Sequence, residues 1–372
     1  MRTIPTVLLG AAALGLGCRA PQPAPSPSPA PVRQKTELYP VGDLPAAAQE
    51  KATALSAAEN RTQAAALVAA LEPLAGRSAD LSDLLASACN WIGAVDKALP
   101  LARQAVRLAP QSARLQLHLG QLEQQLGYSI PAEEHLRTAA TLAPDAPEVH
   151  LALARFKERE LHTVEAEREY REATAIDPQD PGLWGYLAEN LLRQQKYDDA
   201  RKALAEADRF APDAPPGLVQ RALIARDEAR SGRGDRAEKW KEADGYLEKC
   251  LSLAPGYPSA LFVRGTLQQD RGDDTGARAS LEAALVAAPQ LDGLKTQLGQ
   301  VLVRLGEQKR GLELLAQSRQ AQEHKDALER LVSRVAMQPK DQARRKALIA
   351  WCLSHGEPAR ARLEQVELTA PR

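Results

Sequence analysis

Four cysteines and six histidines are the side chains of this 372-residue chain that could act as nucleophiles, redox pairs or metal ligands. No two cysteines lie close enough in sequence to form a CxxC redox or zinc motif, and no histidines stand at metal-ligand spacing. We therefore expect no metal, no cofactor and no disulfide-stapled scaffold. Three of the cysteines fall at small or buried positions of a repeat described below and read as core residues: Cys89, Cys250 and Cys352.

The fourth cysteine, Cys18, has a specific chemical context. Arg2 gives the N-terminal region a positive charge, and residues 7–17 form an uncharged, mostly apolar run. This run is too short to span a bilayer, which needs about 20 apolar residues, and it fits the hydrophobic region of a secretory signal. An ordinary secretory signal that happens to contain a cysteine is the alternative interpretation.

The residues before Cys18 resemble the lipobox of bacterial lipoproteins. Residues 14–17 read Leu-Gly-Leu-Gly, in which Gly15 and Leu16 depart from the family's usual Leu and small residue. The resemblance implies that residues 1–17 are removed as a signal peptide. It also implies that the Cys18 thiol is acylated and that the new N-terminus anchors the chain to a membrane.

A proline-rich segment, residues 18–44, follows as a tether. Prolines alternate with small residues from 21 to 31, and proline fixes φ and lacks an N–H, which excludes helix and sheet. As polyproline II, residues 20–33 would reach about 40 Å. Arg19 follows Cys18 where some lipoproteins carry Asp, which by the enterobacterial sorting rule favours the outer membrane facing the periplasm. Without acylation, we expect a periplasmic or secreted protein.

Composition and motifs argue against catalysis and against nucleic-acid binding. The chain is rich in Ala and Leu with 4% aromatic residues, which favours helices over sheet. Its 48 basic and 48 acidic residues balance, so no global field draws it to nucleic acid. It contains no GxSxG, HExxH, GxxxxGK[ST] or GxGxxG motif, and any single carboxylate is better explained as part of a solvated helix face. We expect a non-enzymatic protein.

Proline marks an internal repeat of 34 residues. Six prolines share this spacing within two runs: Pro110, Pro144, Pro178 and Pro212, then Pro255 and Pro289. Alanine recurs twelve residues before each proline: Ala98, Ala132, Ala166, Ala200, Ala243 and Ala277. Further small or apolar residues follow at spacings of four and three, which places them on one face of a helix. Two Arg-Gly-Asp triplets, at 233–235 and 271–273, fit ordinary turn chemistry between helices.

These residues resemble the tetratricopeptide repeat. The unit 181–214 carries the family's signature at Trp184, Leu187, Ala188, Ala200, Leu204, Ala207 and Pro212. The resemblance implies an all-α, right-handed superhelical solenoid of antiparallel helix hairpins, with about eight repeats including degenerate caps.

The repeat register divides the chain. Residues 45–78 form a degenerate N-terminal repeat, 79–325 the array, and 326–372 a long helix and a degenerate C-terminal repeat. The fifth unit, 215–257, is nine residues too long, and the extra residues are expected in a turn near 230–235. No helix breaker occurs from Glu307 to Gln338, which predicts one long helix.

The resemblance also implies a binding face on the concave side, lined by the first helix of each hairpin. The mapped positions are Asn90, Trp91, Gln121, Gln125, Arg155, Arg159, Glu189, Arg193, Gln300 and Arg304. For each of them, a merely solvated side chain is the competing interpretation. The Lys and Asn pattern that clamps a C-terminal carboxylate in some family members is not matched.

We therefore expect a scaffold that binds partner peptides or helices in envelope, pilus or secretion assembly. The alternative is a soluble secreted or periplasmic binding protein with a small-molecule or peptide pocket.

Overall fold

The computed structural model describes residues 46–58 and 60–369 of the chain. The signal peptide, Cys18 and the proline-rich tether predicted above lie outside these residues. Within them, eighteen α-helices and one short 3-10 helix, Glu72–Arg77, form the regular structure, and no strand occurs. None of these helices is both apolar enough and long enough to cross a membrane.

The helices follow one another with short turns. The N-terminal half contains α1 Ala46–Ser56, α2 Arg61–Leu71, α3 Ala79–Ile92, α4 Val95–Leu108, α5 Ala113–Gln125, α6 Ser129–Leu142, α7 Pro147–Arg159, α8 Thr163–Ile176, α9 Pro181–Arg193 and α10 Tyr197–Asp208. The C-terminal half contains α11 Pro215–Ser231, α12 Arg236–Leu253, α13 Pro258–Asp270, α14 Asp274–Ala287, α15 Leu294–Arg304, α16 Gln308–Met337, α17 Gln342–Ser354 and α18 Pro358–Thr369.

Successive helices pack in pairs, α3 with α4, α5 with α6, and so on to α17 with α18. The repeated alanines make this close packing possible, because each of the six named above is fully buried. The first helices carry matching small residues. A Cβ added at Gly120 of α5 would lie 2.8 Å from Leu136 Cγ of α6 and 3.2 Å from the carbonyl oxygen of Ala132. The all-α solenoid expected from the repeat is confirmed.

Helix ends use the capping residues that the sequence supplies. The Asp180 carboxylate accepts a hydrogen bond from the Gly182 N–H at 2.7 Å, and Pro181 occupies the first turn of α9. The second residues of both Arg-Gly-Asp triplets, Gly234 and Gly272, have positive φ, and the aspartates that follow cap α12 and α14. Both triplets are therefore turns.

The fifth hairpin differs from its expected form. Its extra residues do not form a long turn, since only residues 232–235 separate its two helices. Instead, α11 has 17 residues where α9 has 13, and α12 has 18 residues where α8 has 14. About one helical turn has been added to each helix. The hairpin projects further than its neighbours, with Trp240 buried in its extended part.

The segment without a helix breaker forms one 30-residue helix, α16. It crosses the boundary placed at residue 325, so the array and the C-terminal segment share a continuous helix. Its first part pairs with α15, and its last part contacts α6. The terminal helix α18 packs against α4, so the end of the chain returns to the early hairpins. This return was not expected from the sequence.

Candidate partner-binding face

The first helices of the hairpins lie on the inner side of the array. Neighbouring first helices contact one another directly: α5 with α7, α9 with α11, α11 with α13, and α13 with α15. Within residues 46–58 and 60–369, no contact of comparable extent joins the second helices of hairpins that are consecutive in sequence. The array therefore curves towards its first helices, and their exposed side chains define what we call the inner face.

A polar cleft of about 260 Å³ opens on the inner face between α3 and α5. Its lining includes three of the residues expected from the repeat register, Asn90, Gln121 and Gln125. The Asn90 side-chain amide donates a hydrogen bond to Gln125 Oε1 at 3.1 Å, which joins the two helices across the cleft. Gln121 is exposed beside this pair.

One amide atom at this cleft lacks a hydrogen-bond partner. Asn90 Oδ1 is shielded from solvent without a protein partner. Shielded polar atoms are normally paired, because leaving one unpaired costs roughly 1–3 kcal/mol. The cleft therefore presents one acceptor that the N–H of a bound amide could satisfy.

The wall of the cleft carries a buried carboxylate. Asp83 of α3 accepts hydrogen bonds from Arg114, and His118 Nδ1 lies 3.0 Å from its Oδ2. Arg114 also pairs with Asp80, which extends the charged group along α3. These partners offset the cost of burying Asp83 and tie α3 to α5. The cleft wall is thus held in place by charges that already have partners.

A second group of side chains joins α7 and α9. Arg193 bridges Glu158, at 3.0 Å, and Glu189, at 2.7 Å. The Arg155 guanidinium lies 5.8 Å from the ring centroid of Tyr186. Burial raises the pKa of Glu189 even though Arg193 acts in the opposite direction. Arg155, Glu189 and Arg193, which the sequence placed on this face, are brought together and are largely engaged with their own neighbours.

The remaining expected residues are dispersed. Trp91 is half-buried and packs against the N-terminal core next to Asn90. Arg159 and Gln300 are exposed, on α7 and α15. Arg304 is held by Asp274 at 2.7 Å, and this hydrogen bond raises its pKa. The ten positions therefore do not form one site, and the cleft between α3 and α5 is where three of them converge.

Sequence reasoning missed Asp83 and His118 at the cleft. A signal for Asp83 was present, because Asp83, Ser87 and Asn90 are spaced four and three residues apart and so share a helix face. Among the described residues, no group of three His, Cys, Asp or Glu side chains could hold a metal ion.

Comparison with known proteins agrees with the geometry. Residues 162–223 match the tetratricopeptide repeat family. The chain contains tetratricopeptide repeats in this segment, and its fold is that of tetratricopeptide-repeat proteins. A tetratricopeptide repeat protein from Parabacteroides merdae is similar in structure, with a TM-score of 0.56, 14% identity, and 70% of this chain and 99% of that chain covered. The human IFIT1 dimer with m7Gppp-AAAA has a TM-score of 0.52 and 14% identity, with 82% and 77% covered. No curated protein matches this tetratricopeptide-repeat chain.

Proposed function

We propose that this tetratricopeptide-repeat protein is a non-enzymatic scaffold that binds extended segments of partner proteins on its inner face. The observation that carries the proposal is the amide-lined cleft between α3 and α5, where Asn90 Oδ1 lacks a partner. A peptide backbone presents one N–H donor and one C=O acceptor per residue. The backbone N–H is the group that would satisfy the unpaired Asn90 oxygen.

The charge of the inner face favours a protein partner over nucleic acid. Along α7 and α9, Arg193 is matched by Glu158 and Glu189, and at the cleft Arg114 is matched by Asp80 and Asp83. Binding to a phosphate backbone depends on unmatched Lys and Arg side chains. Pairing of this kind leaves little positive potential for phosphates and suits a polar, uncharged peptide backbone.

We further propose that the scaffold is anchored in the bacterial envelope through an acylated Cys18, most simply in the outer membrane facing the periplasm. Support comes from the apolar run that ends at Cys18 and from the proline-rich tether behind it. In this arrangement the tether separates the array from the bilayer, and the inner face is available for partners in envelope, pilus or secretion assembly. Metabolic labelling with an alkyne fatty acid tests the anchor, since Cys18→Ala should abolish the label.

A displayed library of random 12-residue peptides tests the binding face directly. We expect the wild-type chain to enrich peptides whose affinity falls at least tenfold in the triple variant Asn90→Ala, Gln121→Ala, Gln125→Ala. The matched control is Arg168→Ala on α8, a second helix, where the arginine side chain is 73% exposed. Equal binding by the triple variant and wild type, or loss in the control, would refute the site.

A further inference from the structure

The middle of α16, residues 319–327, carries no large apolar side chain and is called the strut below. Between Gly311 and Val332, no residue of this helix is buried. Residues 319–327 read Arg-Gln-Ala-Gln-Glu-His-Lys-Asp-Ala, with no large apolar side chain on any face. Within this segment His324 reaches the C-terminal helices, with its ring 4.9 Å from that of Trp351 and its Nε2 3.2 Å from Glu357 Oε1. The rest of the segment is typical of a solvated bridge between packed units, as expected for a helix that is polar all round. These nine residues span about 14 Å at 1.5 Å per residue.

Each end of the strut belongs to a different part of the molecule. At its start, α16 packs so closely on α15 that a Cβ added at Gly299 would lie 2.8 Å from Leu315 Cγ. At its end, Val332 Cγ1 lies 3.2 Å from the Cβ position of Gly127, in the turn between α5 and α6. The strut therefore connects the last repeat of the array to the early hairpins.

The C-terminal helices complete this connection through a buried ionic network. Glu364 of α18 is fully buried, and its carboxylate accepts hydrogen bonds from Arg345 at 2.7 Å and from Arg360 at 3.0 Å. The Tyr128 hydroxyl, from the α5–α6 turn, donates a third hydrogen bond to Glu364. Arg360 also donates to the carbonyl oxygen of Leu126 at 2.7 Å.

The Arg360 guanidinium also lies 4.6 Å from the Tyr128 ring centroid. Two partly exposed ion pairs surround this centre, Arg362 with Asp96 at 2.7 Å, and Arg103 with Glu367.

The chemistry of this contact fits reversible docking. Buried ion pairs add little net stability because desolvation offsets their attraction, but they impose a single geometry. Around the network, Leu363 and Val332 join the same apolar cluster as Leu99. The contact thus combines an apolar area with a polar centre in which the Tyr128 and Leu126 hydrogen bonds form only when α18 and the α5–α6 turn meet in this register.

We propose that residues 328–369, the end of α16 with α17 and α18, form a latch that closes the superhelix onto hairpins α3–α4 and α5–α6 and opens as a unit. Closed, the latch fixes the distance between the last repeat and the first hairpins and with it the curvature of the inner face. Open, the array is an ordinary solenoid in which each hairpin contacts only its neighbours. The latch rests on the Tyr128 and Glu364 contact and does not depend on the proposed function.

Distance measurements between spin labels test the latch. One label is placed at Leu353→Cys on α17 and the other at Ile130→Cys at the start of α6, both more than half exposed in the native side chain. Cys18 is replaced by Ser in every labelled chain, and the native Cys89, Cys250 and Cys352 are buried and stay unlabelled. A second pair, Ile130→Cys with Val286→Cys, reports on the array alone. We expect one narrow distance for the first pair in the otherwise wild-type chain.

Glu364→Gln is the opening variant, and Glu228→Gln is its matched control. Glu228 is also a buried carboxylate with two cationic partners, Arg201 and Lys239, but it lies within the array. In Glu364→Gln we expect a second, longer Leu353–Ile130 distance and at least tenfold faster amide exchange in α17 and α18. The control should keep the single distance.

A milder variant covers the case in which Glu364→Gln fails to fold. Arg362→Glu replaces a side chain that is 55% exposed and should also lengthen the Leu353–Ile130 distance, with rescue by Asp96→Lys. The latch is refuted if neither variant lengthens this distance. In a variant that lengthens it, the Ile130–Val286 distance should broaden as well, because opening releases the curvature of the array. An unchanged, narrow Ile130–Val286 distance would overturn the claim that the latch sets the curvature.

Discussion

The Tyr128 hydroxyl donates a hydrogen bond to Glu364, a residue 236 positions further along the chain. In a solenoid, contacts normally join only neighbouring repeats. This hydrogen bond instead joins the second helix pair of the array to the last helix of the chain. It makes the stability of the early hairpins depend on the C-terminus.

Tyr128→Phe should destabilise the protein by about 1–2 kcal/mol, because it leaves the buried Glu364 with one hydrogen bond fewer while the ring still packs. The check is the free energy of unfolding in urea. Tyr246→Phe is the control, since the Tyr246 hydroxyl reaches Glu242 only at 3.5 Å in a half-buried position. Its effect should stay within about 0.5 kcal/mol. An equal loss in both variants would contradict the importance of the Tyr128 contact.

Stability should also depend on the protonation of Glu123. Burial raises the pKa of Glu123 to about 7, although Arg103 opposes this shift. The charged groups around it are Arg103 on α4, Glu134 and His135 on α6, and Glu367 on α18. Because the native pKa lies above the unfolded value, the stabilisation is present at acidic pH and is lost as the pH rises through 7.

The comparison that isolates this effect is Glu123→Gln. Relative to this variant, the wild type should lose about 1–3 kcal/mol of unfolding free energy between pH 5 and pH 8. Glu148→Gln, at an exposed position of α7, should leave the pH dependence of the wild type unchanged. A wild-type curve parallel to that of Glu123→Gln would show that Glu123 titrates normally.

Replacement by alanine should change the stability of the protein in opposite directions at two glycines. At Gly120 the added Cβ would meet Leu136 and a backbone carbonyl, so Gly120→Ala should cost about 1–3 kcal/mol. At Gly185, inside α9, nothing lies within 4 Å of the Cβ position, and Gly185→Ala should stabilise by about 0.5–1 kcal/mol through helix propensity. Thermal unfolding of the two variants tests both expectations. The packing account would be wrong if both changed stability in the same direction.

The three core cysteines should be unreactive in the native protein. Burial raises the pKa values of Cys89, Cys250 and Cys352 to about 11, and the thiolate is the reactive species. Iodoacetamide at pH 7.5 should therefore leave all three unlabelled for an hour and label them in urea, as mass spectrometry of peptides would show. Rapid native labelling of Cys352 alone would instead indicate that α17 opens frequently.

The hairpins were predictable because their signals are local. Each turn of the repeat carries its own proline and buried alanine, such as Pro178 with Ala166, and local spacing is sufficient to place them on helices. The fifth hairpin was predicted less well, since the glycines at 232 and 234 suggested an enlarged turn. In the structure the extra residues are helical, because Ala229 and Trp240 bury apolar surface in the added turns.

The packing of α18 against the early hairpins could not be predicted from the local sequence pattern. Arg360 and Glu364, four residues apart, look like any exposed ion pair on a helix, and nothing in their spacing indicates that the pair is buried. The cleft was predicted in part. Asn90, Gln121 and Gln125 follow from the repeat register, whereas the pairing of Asp83 with His118 depends on how two helices meet.

Site-specific photocrosslinking in the cells that produce the protein tests the central claim, that the inner face binds protein partners. A photoreactive residue at Gln121, in the cleft, is compared with one at Arg168, on a second helix. The account predicts a discrete protein adduct from position 121 that disappears when Asn90→Ala and Gln125→Ala are added, and no such adduct from position 168. Adducts of equal yield at both positions, or none at position 121, would contradict it.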